Sequence, residues 1–302
     1  MKPSDTILAR TGGQILVDAL KVHGVDIAFG VPGESYLEVL DALHGAREKI
    51  QFIICRQEGG AAYMAEAYGK LTGRPGICMV TRGPGASNAA IGVHVAQRDS
   101  TPFILFVGQV GNDFVERDAF QEVDFRRMFG QMAKWVAQID RAERIPEYVN
   151  RAFHTAMSGR PGPVVLALPE DMLTETASVA DTATYKRVAA HPGEADLRKL
   201  RELLAQAKRP FVILGGSGWH AQACEDFRAF AEANNLPVGT AFRRQDLYDN
   251  RLANYVGDVG IGINPALAER VKAADLLLAI GTRLDEMTTG GYTLIDVPRP
   301  KQ

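Results

Sequence analysis

One acidic residue is placed where it could do chemistry. Glu58 sits in Arg56-Gln57-Glu58-Gly59-Gly60-Ala61-Ala62-Tyr63-Met64-Ala65, where a strand pattern gives way to a helical one. The residues after it are small or apolar, so another molecule can come close to the carboxyl group. A carboxyl group that is partly desolvated in this way is suited to sharing a proton. The same position also fits a plainer role, a helix N-terminal carboxylate that favours the macrodipole.

Two turns offer further candidates. Thr81-Arg82-Gly83-Pro84-Gly85-Ala86-Ser87-Asn88 follows a strand pattern and precedes a helical one. Its glycines permit close backbone approach, and a helix N-terminus offers free N–H groups, although a plain strand-to-helix turn has the same composition. In Gly30-Val31-Pro32-Gly33-Glu34-Ser35, the acidic and hydroxyl side chains would project from the carboxyl end of a parallel sheet. Ligands bind at that end, and helix capping by Ser35 is the alternative. A third turn, Gly215-Gly216-Ser217-Gly218, lacks the third glycine of a dinucleotide fingerprint. No His/Cys/Asp/Glu group has metal-ligand spacing, and no Gly-x-Ser-x-Gly elbow occurs.

The elements that must position these residues alternate between strand and helix. Residues 12–23 read as an amphipathic helix with Ile15, Leu16, Ala19 and Leu20 on one face. Strands are expected at 26–29, 51–55, 76–80, 103–107 and 164–168. Helices are expected at 35–43, 58–71, 86–97 and 145–157, the second of them closed by Gly73 and Pro75. The run at 103–107 is almost wholly apolar, as in a parallel strand covered on both faces. This alternation predicts an α/β fold with a doubly wound, mostly parallel sheet. Residues 173–192 break the pattern and read as a connecting segment. A second α/β unit follows, with helices at 197–207 and 221–233 and strands at 211–214, 237–240 and 276–280. The expected organisation is a first domain at 1–175, a linker at 176–192 and a partial Rossmann-like domain at 193–302 that stops after Pro298-Arg299-Pro300-Lys301-Gln302.

Composition narrows the class. The 302 residues suit about two domains, and 46% hydrophobic with 23% charged residues is ordinary for a soluble globular protein. A net charge of −2 with both signs interspersed argues against nucleic acid or an anionic membrane as partner. Cys55, Cys78 and Cys224 lie far apart and read as free thiols in a reducing compartment. The start, MKPSDTILARTGGQ, has no apolar stretch suited to a signal peptide, and no run is long enough to span a bilayer. A cytoplasmic location is expected.

Taken in order, the blocks GGQILVDAL, FGVPGESYLEVL, RQEGGAAYMAEAYGKLTGRPG, MVTRGPGASNAAIGVHVAQRDSTP, GQVGNDFVERDAFQEVD, AKWV and GRPGPVVLALPEDM carry a resemblance. They look like the pyrimidine-binding domain of the acetolactate synthase group of thiamine-diphosphate-dependent enzymes. That group includes the pyruvate, benzoylformate and oxalyl-CoA decarboxylases. The likeness covers residues 11–173, and ADLLLAIGTRLD at 274–285 resembles the end of the family's central domain.

The resemblance implies roles. Glu58 is similar to the catalytic glutamate that hydrogen-bonds N1′ of the cofactor's aminopyrimidine. Pro32, Gly33, Thr81, Gly83, Pro84 and Asn88 match the loops beside that ring. Glu34, Ser35, Phe120 and Gln121 match the substrate side, with Glu34 and Gln121 implied in catalysis beside Glu58. Four positions depart from the synthase pattern: Glu34 replaces a usual glycine, Arg82 a small residue, Gln57 a histidine, and Glu170 a frequent lysine. Glu34 matches an acidic residue of pyruvate decarboxylases, which shifts the expectation towards proton chemistry.

The implied reaction is decarboxylation or carboligation of 2-oxo acids, with a place in branched-chain amino acid biosynthesis. The implied cofactors are thiamine diphosphate and Mg²⁺, with FAD, another nucleotide or none in the central domain. Mg²⁺ belongs with a Gly-Asp-Gly motif in a C-terminal domain, and this chain contains no such triplet, so the fragment alone is expected to be inactive. In the second unit Phe242-Arg243-Arg244-Gln245 replaces a glycine-containing loop along the flavin, and two arginines suit a phosphate better. The implied partners are the 2-oxo acid and a second subunit that completes the site in a homodimer or homotetramer. Two other classes stay open: a nucleotide-binding (NAD or FAD) oxidoreductase built on the turn at Gly215, and a non-catalytic interaction module of the same fold.

Overall fold

A computed structural model describes residues 8–296. Most of the N-terminal stretch and the closing residues from Pro298 to Gln302 therefore lie outside the described residues. The chain divides into two compact units, Met1–Ala189 and Ala190–Gln302.

In the first unit β1 (Arg10–Thr11) leads straight into α1 (Gly12–Val22). A reciprocal cap fixes that start: the Gln14 amide donates to Thr11 Oγ1 at 3.3 Å, and the Thr11 amide donates to Gln14 Oε1 at 3.0 Å. Next come β2 (Ile27–Gly30), a 3₁₀ turn (Glu34–Tyr36), α2 (Leu37–Gly45), β3 (Gln51–Ile54) and α3 (Glu58–Thr72). They are followed by β4 (Gly76–Thr81), α4 (Arg82–Asp99), β5 (Phe103–Gln109) and α5 (Phe125–Phe129). The unit continues with β6 (Trp135–Gln138), α6 (Ile145–Met157), β7 (Pro163–Pro169), α7 (Glu170–Thr174) and β8 (Thr176–Ala177).

Six strands form one parallel sheet in the order β3-β2-β4-β5-β7-β6. Alternate side chains of a strand face opposite ways, and β5 shows the consequence. Ile104 and Phe106 join a core with residues of α1, α2 and α6, whereas Phe103, Leu105 and Val107 join another with α3, α4 and α5. Both faces are covered, so the sheet is doubly wound. On the second face α3 and α4 come very close, because a Cβ at Gly92 would lie 2.5 Å from Ala62 Cβ.

Some boundaries differ from those expected. α4 begins at Arg82 rather than at 86, because Pro84 falls in the first helical turn, where a missing N–H breaks no bond. The helix expected at 35–43 is a 3₁₀ turn followed by α2. β6 and α5 have no counterpart in the sequence reading. The stretch after α7 starts on the first unit: β8 pairs antiparallel with β1, Arg10 binds Asp18 and Asp181, and Tyr185 packs on Phe153 and His23.

The second unit contains α8 (Glu194–Gln206), β9 (Pro210–Leu214), α9 (Ala221–Ala233), β10 (Val238–Ala241), β11 (Tyr255–Val259), α10 (Pro265–Lys272) and β12 (Leu276–Ile280). Its four strands are parallel in the order β11-β10-β9-β12, a Rossmann-like arrangement. Among the described residues no helix is long and apolar enough to cross a membrane.

Candidate active site

The strands of a parallel sheet all end on one edge, and the turns leaving them there gather side chains from distant parts of the sequence. In the first unit this edge carries the turns after β2, β3, β4, β5 and β7, which hold Glu34, Glu58, Arg82, the 110–124 stretch and Glu170.

Glu58 is the first residue of α3. Gln57 caps that helix, its side chain accepting from the Gly60 amide at 2.8 Å. Asn88, early in α4, donates from Nδ2 to Glu58 Oε2 at 2.8 Å. Glu58 is half-buried, and among the described residues it forms no ion pair. Its charge acts on buried neighbours. Burial pushes the Tyr36 hydroxyl and the Cys78 thiol up, and the negative charge of Glu58 adds to both shifts.

The turn after β2 is closed against the turn after β4. A Cβ at Gly33 would sit 2.4 Å from Thr81 Cβ, so a larger residue there would separate the two turns. Ser35 Oγ hydrogen-bonds Thr81 Oγ1, and Tyr36 donates its hydroxyl to the Val31 carbonyl, on either side of Pro32 and Gly33. Ser35 therefore does not cap a helix; the 3₁₀ turn and α2 have no side-chain cap. The Gly83 amide donates to the Gln121 carbonyl at 2.9 Å, which brings the 110–124 stretch over the start of α4 beside Pro84.

The largest gap in the sequence reading concerns Arg82. Its side chain is only 10% exposed and lies among three turns. Nη2 donates to Glu170 Oε2 at 2.9 Å, Nη1 donates to the Phe120 carbonyl at 3.2 Å, and Nη1 lies 3.9 Å from Glu34 Oε1. Nε is buried with no partner among the described residues. Arg82 and Glu170 each depart from the pattern the sequence resembles, with opposite charges, and that was the available signal of a pair. Beside this cluster a cavity of about 450 Å³ is lined by Glu34, Ser35, Tyr36, Asp113, Phe114 and Glu170 among others. The structure thus groups Glu34, Phe120 and Glu170 around Arg82, and Pro32, Gly33, Ser35 and Thr81 in one seam. It joins Gly83 to Gln121 and Glu58 to Asn88.

The second unit offers less. Arg244 is paired with Asp246 at 3.1 Å, and the Arg243 guanidinium lies over the Phe242 ring at 4.9 Å. In the glycine turn after β9, a Cβ at Gly216 would lie 1.8 Å from the Gly281 carbonyl, so the glycine allows close packing against the end of β12. Among the described residues no group of three or more His, Cys, Asp or Glu side chains is placed to hold a metal ion.

Comparison with known proteins matches both units. The family described as "Thiamine pyrophosphate enzyme, N-terminal TPP binding domain" matches residues 10–128, and "Thiamine pyrophosphate enzyme, central domain" matches residues 197–302. "Acetolactate synthase isozyme 2 large subunit" of Escherichia coli K12 is 34% identical over 279 residues, covering 92% of this chain and 50% of that protein. "Acetolactate synthase" of Mycobacterium bovis is 34% identical over 285 residues, covering 93% and 46%. "Acetolactate synthase large subunit" of Lactococcus lactis is 35% identical over 280 residues, covering 91% and 48%. The chain spans about half the length of these curated relatives.

Proposed function

This chain belongs to the thiamine pyrophosphate enzymes and carries their N-terminal and central domains, and from that premise we propose that it supplies the Glu58 half of an active site in an acetolactate synthase-like decarboxylase or carboligase acting on 2-oxo acids. One observation carries the reading. A glutamate at the start of a helix, on the ligand-binding edge of a parallel sheet, has one carboxylate oxygen held by Asn88 and, among the described residues, no ion-paired cation. A carboxyl group so placed fits the ring nitrogen of an aminopyrimidine, for which it can hold or release a proton.

When bound, thiamine diphosphate would supply the carbon nucleophile that 2-oxo acids need in order to lose CO₂. This chain's residues would do the rest of the work on their side of the site. Asn88 fixes the Glu58 rotamer, and Glu58 exchanges a proton through Oε1. Pro32, Gly33, Thr81, Gly83 and Pro84 form the close-packed wall beside the ring. Glu34, Phe120 and Gln121 would face the substrate, with Glu34 as the acid nearest the mouth and Gln121 as a hydrogen-bonding group, while Ser35 lies buried behind them on Thr81.

Among the described residues Mg²⁺ fits no group of three or more His, Cys, Asp or Glu side chains, so its ligands would lie outside them. A second subunit of a homodimer or homotetramer would complete the site. FAD fits the second unit poorly, because Arg244 is engaged by Asp246 and Arg243 lies over Phe242. Three free cysteines suit the reducing cytoplasm, and the substrate class suits branched-chain amino acid biosynthesis.

The test is CO₂ release from a panel of 2-oxo acids by the protein isolated from its own cells, with thiamine diphosphate and Mg²⁺ added or withheld. Release that depends on both and disappears in Glu58→Gln supports the reading. Release indifferent to thiamine diphosphate, or hydride transfer to a nicotinamide or flavin in its place, overturns it.

A further inference from the structure

The 112–124 stretch crosses the mouth of the site as a strap with little packing of its own. Phe114, Val115 and Phe120 are exposed, and three non-glycine residues hold left-handed backbone: Glu116 at φ 61°, Asp118 at φ 59° and Gln121 at φ 64°. Such conformations persist only where their surroundings impose them. Two adjacent residues of α4 pin the strap at 120–121, between the hydrogen bond from the Glu116 amide to Glu122 Oε1 and that from Gln109 Nε2 to the Val123 carbonyl. The Gly83 amide meets the Gln121 carbonyl, and Arg82 Nη1 meets the Phe120 carbonyl. Arg82 is itself held from the far side by Glu170 and faces Glu34.

We propose that Arg82 is a positioning residue that latches this strap, and with it Phe120 and Gln121, across the mouth formed by Glu34 and Glu170. A guanidinium suits the task because its rigid fork donates in several directions at once, so one buried cation ties a carbonyl to a carboxylate. The proposal rests on the reading of this edge as the substrate side. The latch holds Phe120 and Gln121 at the mouth before substrate arrives.

The test is amide hydrogen exchange, followed by mass spectrometry, on the full chain and four variants. Arg82→Met keeps the length and removes the donors. Arg82→Lys keeps the charge and a donor, and Glu170→Gln weakens the far anchor. In Arg82→Met, amides in residues 116–123 should exchange about tenfold faster while those of β5 and β7 stay protected. Arg82→Lys should recover most of that protection, and Glu170→Gln should fall between the two. Unchanged strap exchange in Arg82→Met, or equal loss in Arg82→Met and Arg82→Lys, overturns the latch. Should Arg82→Met open the whole unit, Glu170→Gln decides: strap exchange equal to wild type there overturns the proposal. Glu58→Gln, the fourth variant, should leave strap exchange unaltered. A failed latch is therefore distinguishable from a failed thiamine diphosphate reading, which is judged by ligand binding.

Discussion

Asn88 Nδ2 donates to Glu58 Oε2 across 2.8 Å and so joins the first residue of α3 to the early part of α4. The orientation of the candidate catalytic carboxyl thus depends on how two helices pack as well as on its own rotamer. Two consequences can be measured.

Asn88→Ala removes the bond and little else. The free Glu58 carboxyl then samples other rotamers, and affinity for thiamine diphosphate should fall by at least about tenfold, the worth of one hydrogen bond to a charged group. Isothermal titration against the wild-type chain reads the difference. Equal affinity would mean that Asn88 does not orient Glu58.

Gly92→Ala acts on the helix pair. Its Cβ would lie 2.5 Å from Ala62 Cβ and 2.9 Å from the Ala62 carbonyl carbon, so backbone must move. A loss of about 1–3 kcal/mol in urea unfolding is expected, the usual penalty of overpacking. Gly45→Ala, where nothing lies within 4 Å, is the control and should change stability far less.

Glu66 is a buried carboxylate in the same helix as Glu58. It accepts from Thr101 Oγ1 at 2.8 Å and from Lys70 Nζ at 3.0 Å. Glu66→Ala leaves the buried Thr101 hydroxyl without its acceptor and should cost about 2–3 kcal/mol. Lys70 also pairs with Asp99 at 2.6 Å, so Lys70→Met removes two ion pairs at once, leaves the buried Glu66 carboxylate without its cation and should cost at least as much. Chemical unfolding of both variants ranks them, and the reverse order would contradict this account.

His23 ties the segment after β8 to α1. Its Nδ1 accepts from the Tyr185 amide at 3.3 Å, and its ring stacks on Phe153 at 4.4 Å. Burial, with the nearby His154 adding to it, lowers its pKa from 6.5 to about 4. The unfolded chain therefore binds more protons between those values, and stability rises with pH across that window. The contribution is complete above pH 6.5 and is lost as pH falls towards 4, by roughly 3 kcal/mol in all. His23→Gln should flatten the dependence of Tm on pH between 6.5 and 4. An unchanged slope would assign the acid sensitivity to other groups.

Much of this was readable from the chain, for particular reasons. The run 103–107 is apolar at every position because β5 is covered on both faces, so it announces a central strand. β6 is four residues long at the sheet edge with mixed burial, and it gives no such signal. β11 is hidden in the same way, by Gly257 at φ 122° and a register shift against β10. Gly83-Pro84-Gly85 reads as a turn, yet the first helical turn tolerates it, so α4 starts earlier than its composition suggests. The helix start at Glu58 was legible because it is local in sequence. The Arg82–Glu170 pair spans 88 positions and depends on two strands ending on one edge, which no local pattern encodes.

The most direct measurement is a thiamine diphosphate titration, with Mg²⁺ present, of the assembled protein from its own cells with its glutamate carboxyl carbons labelled, followed by NMR, in wild type and Glu58→Gln. The account predicts that the Glu58 carboxyl resonance moves on binding, and that the substitution weakens affinity by at least about tenfold, or ~1.4 kcal/mol. Equal affinity in the two proteins, with the Glu58 resonance unmoved, would contradict it.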